Sequence, residues 1–205
     1  MKGRRRARQL ALQALYELDS SEHPVADVLA ARLDAYYRSV LRNQPDGPVP
    51  DRLVEPLIRA VDLRRDAERP WSDFDPTAIV ERHGLDPARV AFALAQLIEH
   101  EGQGAYAVQL VRGVVRNLAA IDAVIGRIAP EWPVEQIAPV DRNCLRIALW
   151  EIGAGAAPLR VVINEAVELA RRFSGEGARR MVNGALGAFA ASGVVLAFAG
   201  YEPAS

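Results

Sequence analysis

The sequence predicts an all-α protein, on three observations. Apolar residues recur at spacings of three and four almost throughout, alternating runs of Val, Ile and Thr are missing, and half of the 205 residues are hydrophobic. That is enough apolar material for a buried core without disulfide or metal staples. No apolar run reaches the roughly 18 residues that a membrane span needs, and the opening MKGRRRAR leads into no signal-like apolar stretch. The expectation is a soluble, cytoplasmic protein without membrane contact.

In the first helix Ala7, Leu10, Ala11, Ala14, Leu15 and Leu18 fall on one face and form a core stripe. Arg5, Arg8, Gln9, Leu12, Tyr16 and Asp19 fall on a second, mixed face. Arginines beside a leucine and an aromatic suit either a partner surface or a second packing contact in a bundle, and the pattern fits both. Residues 40–104 differ in texture, being rich in proline and acids (NQPDGPVPD, ERPWSDFDP, HGLDP), and read as an inserted helical segment. Asp51 and Asp86 are candidate helix caps there, the latter with Pro87 in the first helical position. Within it, AIVERHGLDPARVAFALAQL has the outline of a helix-turn-helix, but Arg89 and Gln96 against Glu99, with alanines between, make a poor DNA-reading face.

A strong helix is expected from about Tyr106 to Ile128, with Val108, Val111, Val114, Val115, Leu118, Ile121, Ile125 and Ile128 inward and Pro130 ending it. A short turn of helix follows between Pro133 and Ala138. Asp141–Ile152 is a third apolar helix, closed by Gly153 and Gly155. Val161–Phe173 and Ala178 to about Ala191 complete the set. Asn183-Gly184 resembles a hairpin turn, yet Met181, Val182, Ala185, Leu186 and Phe189 keep helical spacing across it. Gly184 then fits either close helix packing or the approach of a ligand to the backbone. The chain thus divides into an arm with the first helices (1–39), the inserted segment (40–104), the rest of the helical core (105–192) and a tail (193–205).

The charges balance at 25 basic against 26 acidic, which argues against a polyanion binder that uses its whole surface. Their distribution is uneven. Residues 1–18 carry Lys2, Arg4, Arg5, Arg6 and Arg8 against Glu17 alone, whereas residues 19–100 hold 10 arginines against 15 acids. Chemistry-bearing patterns are scarce: there is no Gly-rich phosphate loop, no Ser/His/Asp spacing and no evident carboxylate pair. Glu165 and Glu168 lie one turn apart beside Arg171 and Arg172 and read as a solvated face with local ion pairs. Cys144 is the sole cysteine and sits among apolar neighbours as a core residue, and His23, His83 and His100 are scattered. No catalytic residues, metal or other cofactor are expected.

Four ordered motifs narrow the function. RRRARQLALQALYELD (Arg4–Asp19), WPVEQIAPVDRNCLRIALWEI (Trp132–Ile152), VVINEAVELARRF (Val161–Phe173) and RRMVNGALGAF (Arg179–Phe189) resemble those of the NusB family of bacterial transcription antitermination factors. The likeness covers residues 4–20 and 106–190. It implies an all-helical fold of two small helical subdomains without catalytic activity. It also implies binding of single-stranded boxA RNA from ribosomal RNA operons, together with the ribosomal protein NusE, in an RNA polymerase complex with other Nus factors. The family's arginine-rich arm matches Arg4, Arg5, Arg6 and Arg8, and its helix-one tyrosine, near both partner and RNA, matches Tyr16. The acidic residue associated with NusE matches Asp141. A basic residue followed by phenylalanine near the RNA matches Arg180 and Met181, where methionine supplies no aromatic stacking plane.

Residue chemistry agrees with the resemblance. Single-stranded RNA needs cations for phosphates and flat or apolar surfaces for unstacked bases, and the first helix offers Arg5, Arg8, Gln9 and Tyr16 on one side. Two other readings compete. One is a helical protein-interaction module without RNA binding. The other is the NusB-like domain found ahead of some ribosomal RNA cytosine methyltransferases, whose cofactor-binding α/β domain and catalytic cysteine have no counterpart in this sequence.

Overall fold

The structure is a computed structural model that describes residues 2–44, 47–66, 75–84 and 86–198. Every regular element among the described residues is helical: α1 Lys2–Ser20, α2 Val25–Arg42, α3 Asp51–Asp66, α4 Thr77–His83, α5 Pro87–Arg116, α6 Leu118–Ile128, α7 Pro139–Gly153, α8 Leu159–Phe173 and α9 Glu176–Ala191. The all-α class is as expected. No described helix is long and apolar enough to cross a membrane.

The chain forms two compact units, residues 1–29 with 105–205 and residues 30–104, so α2 and α5 each run from one into the other. In the first unit α7 lies at the centre, packed against α1, α6, α8 and α9. Its sequence explains why. Asn143 through Glu151 are all buried, a helix covered on every side rather than along one stripe. Trp150 is fully buried against Gly113 of α5, where any Cβ would collide with the indole, so this glycine permits a close helix approach. At the far end, Phe198 donates its backbone N–H to the Gly153 carbonyl at 2.9 Å, fastening the chain after α9 to the end of α7.

In the second unit Leu33, Tyr36, Tyr37, Leu41, Leu53, Leu57 and Leu97 are buried, and the Tyr36 hydroxyl donates to Gln103 at 2.6 Å. The helix-turn-helix outline is realised as α4, a left-handed Gly84 (φ 58°) and α5. Asp86 caps α5 through the Ala88 N–H at 3.0 Å, as its position before Pro87 suggests. Asp51 is instead the first residue of α3 itself.

The expected helix from Tyr106 to Ile128 is corrected in two ways. It begins far upstream, at Pro87, and it breaks at Asn117, whose backbone leaves the helical region (φ −114°, ψ 16°) while its side chain donates to the Gly113 carbonyl at 2.8 Å. The break resets the helical phase, and Val115 and Leu118 on either side, expected inward, are exposed. The short turn after Pro133 is a single 3-10 turn, Val134–Gln136. α9 runs through Asn183-Gly184 without interruption, and nothing among the described residues comes within 4 Å of the place of a Gly184 Cβ, so close helix packing among them does not explain that glycine.

Candidate nucleic-acid interface

Because α1 already starts at Lys2, the arginine-rich arm is helix, and side chains ~100° apart cannot all face one way. Arg8 turns inward and is only 3% exposed. Its Nε and Nη2 donate to the two carboxylate oxygens of Glu151 at 2.8 Å each, and the Tyr106 hydroxyl donates to the same carboxylate. Burial alone would lower the Arg8 pKa, but the hydrogen bonds and charge of Glu151 outweigh it and leave the guanidinium more firmly protonated than usual. Burial, reinforced by Glu151, pushes the Tyr106 phenol far up. Gln9, 5% exposed, also lies inside and accepts from Arg6 at 3.2 Å. On the mixed face, for which the helical pattern fits either a partner surface or a second packing contact, Arg8 and Gln9 are therefore interior, and Leu12 is buried with them.

The remaining arginines stay at the surface. Arg4 donates to the Ala156 carbonyl at 2.7 Å and lies over the Tyr106 ring, 4.9 Å from its centroid. Arg5, with 54% of its side chain exposed, forks onto Glu165 at 2.7 and 3.1 Å. Glu165 also lies 3.4 Å from Arg8, and the Arg5 hydrogen bond, followed by the two guanidinium charges, holds its carboxyl below the usual range against the opposing effect of burial. Instead of joining a local pair on α8, as its spacing suggests, Glu165 ties α8 to α1. Glu168 does make the expected local pair with Arg171, at 2.9 Å.

Further along α1, Tyr16 is 48% exposed, off the core stripe. Asp19 is tied to Arg142, Asn143 and Arg146 of α7 at 2.9 to 3.0 Å, and Arg146 reaches on to Asp122 at 2.7 Å. Asp141, in the first turn of α7, is 7% exposed, and its Oδ1 meets no hydrogen-bond partner among the described residues. Burial raises its pKa, and Ser174 only partly opposes that. On α9, which packs on α8, Arg180 is exposed and Met181 half-buried. Cys144 is fully buried, and burial pushes its thiol pKa up. The sequence pattern missed Glu151 and Tyr106, the partners that draw Arg8 inward. The available signal was a carboxylate, Glu151, inside the otherwise apolar run IALWEI.

The NusB family model matches residues 75–191. A transcription antitermination protein NusB of Solibacter usitatus is 34% identical over 188 residues, covering 92% of this chain and 88% of its own. This chain belongs to the NusB family. A NusB of Anaeromyxobacter dehalogenans is 31% identical and covers 89% of this chain and 87% of its own, and one of Herpetosiphon aurantiacus is 43% identical over 51% and 73%. These relatives are named as antitermination factors, not enzymes. Among solved structures, T. maritima NusB superposes with a TM-score of 0.50 at 22% identity, covering 92% of this chain and 91% of its own. A chain in the crystal structure of a plectonemic RNA supercoil reaches 0.53 at 19% identity, covering 93% and 96%. Both share the fold of this NusB-family chain.

Proposed function

We propose that this NusB-family protein binds single-stranded boxA RNA of ribosomal RNA operons together with the ribosomal protein NusE, within an RNA polymerase antitermination complex that includes other Nus factors, in the cytoplasm. The observation that carries the reading is the group of surface guanidiniums, Arg4, Arg5 and Arg6, at the start of α1 in a chain of net charge −1. Local positive charge on a near-neutral protein suits one strand of phosphates rather than a general polyanion. In this reading those arginines and Arg180 take phosphates, Met181 covers a base, and Tyr16 and Asp141 serve the NusE side. Arg8 and Gln9 contribute by fixing α1 rather than by touching RNA.

A protein-interaction module without RNA binding is favoured by one observation, that Arg5 and Arg8 already hold carboxylates. Fluorescence anisotropy of labelled boxA RNA with the protein, alone and with NusE, separates the two. Binding that strengthens with NusE supports the proposal, whereas a NusE complex that leaves the RNA free rejects it in favour of the module.

A further inference from the structure

We propose that the cleft between α1 and α8 is a phosphate subsite of the RNA path, in which the Glu165 carboxylate stands where a phosphate binds and yields Arg5 to it. This rests on the RNA-binding reading above and adds Arg171 and Arg172, which the sequence pattern leaves on a solvated ion-paired face. The cleft encloses about 200 Å³ and is lined by four arginines, Arg5, Arg8, Arg171 and Arg172, and by the carboxylates of Glu165 and Glu168. Since Arg8 is committed to Glu151, the guanidiniums of Arg5, Arg171 and Arg172 face those two carboxylates with an excess of one positive charge.

Arg5 grips Glu165 through Nε and Nη2, the same two-point fork with which a guanidinium takes a phosphate. Here exposure decides between a fixed and an exchangeable pair. Arg8 and Glu151 are sealed in the interior, whereas Arg171 and Glu168 are both exposed and Arg5, at 54%, covers a Glu165 carboxylate that keeps 16%. On this open side of the cleft an ion pair is weak, and an anion arriving from solvent meets Arg5 first. Arg172 lies 5.6 Å from the centroid of the exposed Phe173 ring, a flat surface of the kind on which an unstacked base rests. Glu165 stays ionised at neutral pH and therefore competes with phosphate throughout the physiological range.

The test measures affinity and salt dependence for a boxA oligonucleotide and an oligouridylate of equal length, with and without NusE, for wild type, Glu165→Gln, Arg171→Ala and Arg172→Ala. Gln keeps an acceptor for Arg5 but removes the competing charge, so Glu165→Gln should bind both RNAs about three- to fivefold tighter. Each arginine variant should bind both more weakly and lower the slope of log K against log salt by about 0.7, because phosphate contacts carry no sequence information. If Glu165→Gln binds no tighter, displacement is overturned. If both arginine variants bind like wild type, the subsite is overturned while RNA binding itself stands. Failure of wild type to bind either RNA under any condition overturns both readings together. Circular dichroism checks each fold, and should Glu165→Gln unfold, the two exposed arginines decide.

Discussion

Arg8 and Arg5 sit three residues apart in one basic run, yet burial assigns them opposite work. Arg8→Ala leaves Glu151 buried without its cation, a loss of about 3–5 kcal/mol of stability for pairs of this kind. Urea denaturation should show that loss, while the salt dependence of RNA binding by the folded protein changes less than in Arg5→Ala. A near-wild-type midpoint for Arg8→Ala would mean that the pair is not structural. Asp141 behaves in the opposite sense. A carboxyl whose folded pKa is raised favours folding below its unfolded value, ~3.9, and loses that contribution as pH rises through the folded value. At neutral pH the ionised, incompletely bonded group therefore costs stability. Asp141→Asn should melt higher than wild type at pH 7, the difference closing toward pH ~4, and should weaken the NusE complex if Asp141 serves it. A lower melting temperature at pH 7 would mean that the Ser174 hydrogen bond outweighs the cost of burying the charge.

At the scale of helices, the core face of α1 was legible, since Ala7, Leu10, Ala11, Ala14 and Leu15 are all buried at the expected spacing. Its second face was not. Periodicity says which residues share a face but not what lies opposite, and the partner of Arg8 is 143 residues away in sequence. The break at Asn117 was illegible for a related reason, because the apolar pattern continues across it and only the backbone turn there shifts the phase. For α9 the pattern left Met181 either at a base or in the core with Ala185 and Leu186. Those two and Val182 are buried, whereas Met181 is half-buried. Met181→Phe should therefore tighten RNA binding, by up to the ~1–3 kcal/mol of a stacked base, at an unchanged melting temperature. A lower melting temperature with no gain in affinity would place the side chain in the core.

Across the whole molecule the near-zero net charge hides a local surplus, and salt titration is the measurement that reads it. The 15 acids among residues 19–100 outnumber the 10 arginines there, but exposed charges further than ~8 Å from the RNA are largely screened at physiological ionic strength, so that deficit need not cancel the attraction at α1. What counts is the number of guanidiniums that meet phosphate. Counting every arginine of the opening run, Arg8 included, would give about four contacts and a slope near 3 in magnitude for a single strand. With Arg8 held by Glu151, Arg4, Arg5 and Arg6 alone give about 2, and adding Arg171, Arg172 and Arg180 brings it to about 4. The measured slope thus distinguishes RNA held only at the start of α1 from RNA that continues over α8 and α9, where α8 touches both α1 and α9. We expect the larger value, falling by about 2 in the triple variant Arg171→Ala, Arg172→Ala, Arg180→Ala. A slope near 2 that the triple variant leaves unchanged would confine the RNA to the first turns of α1.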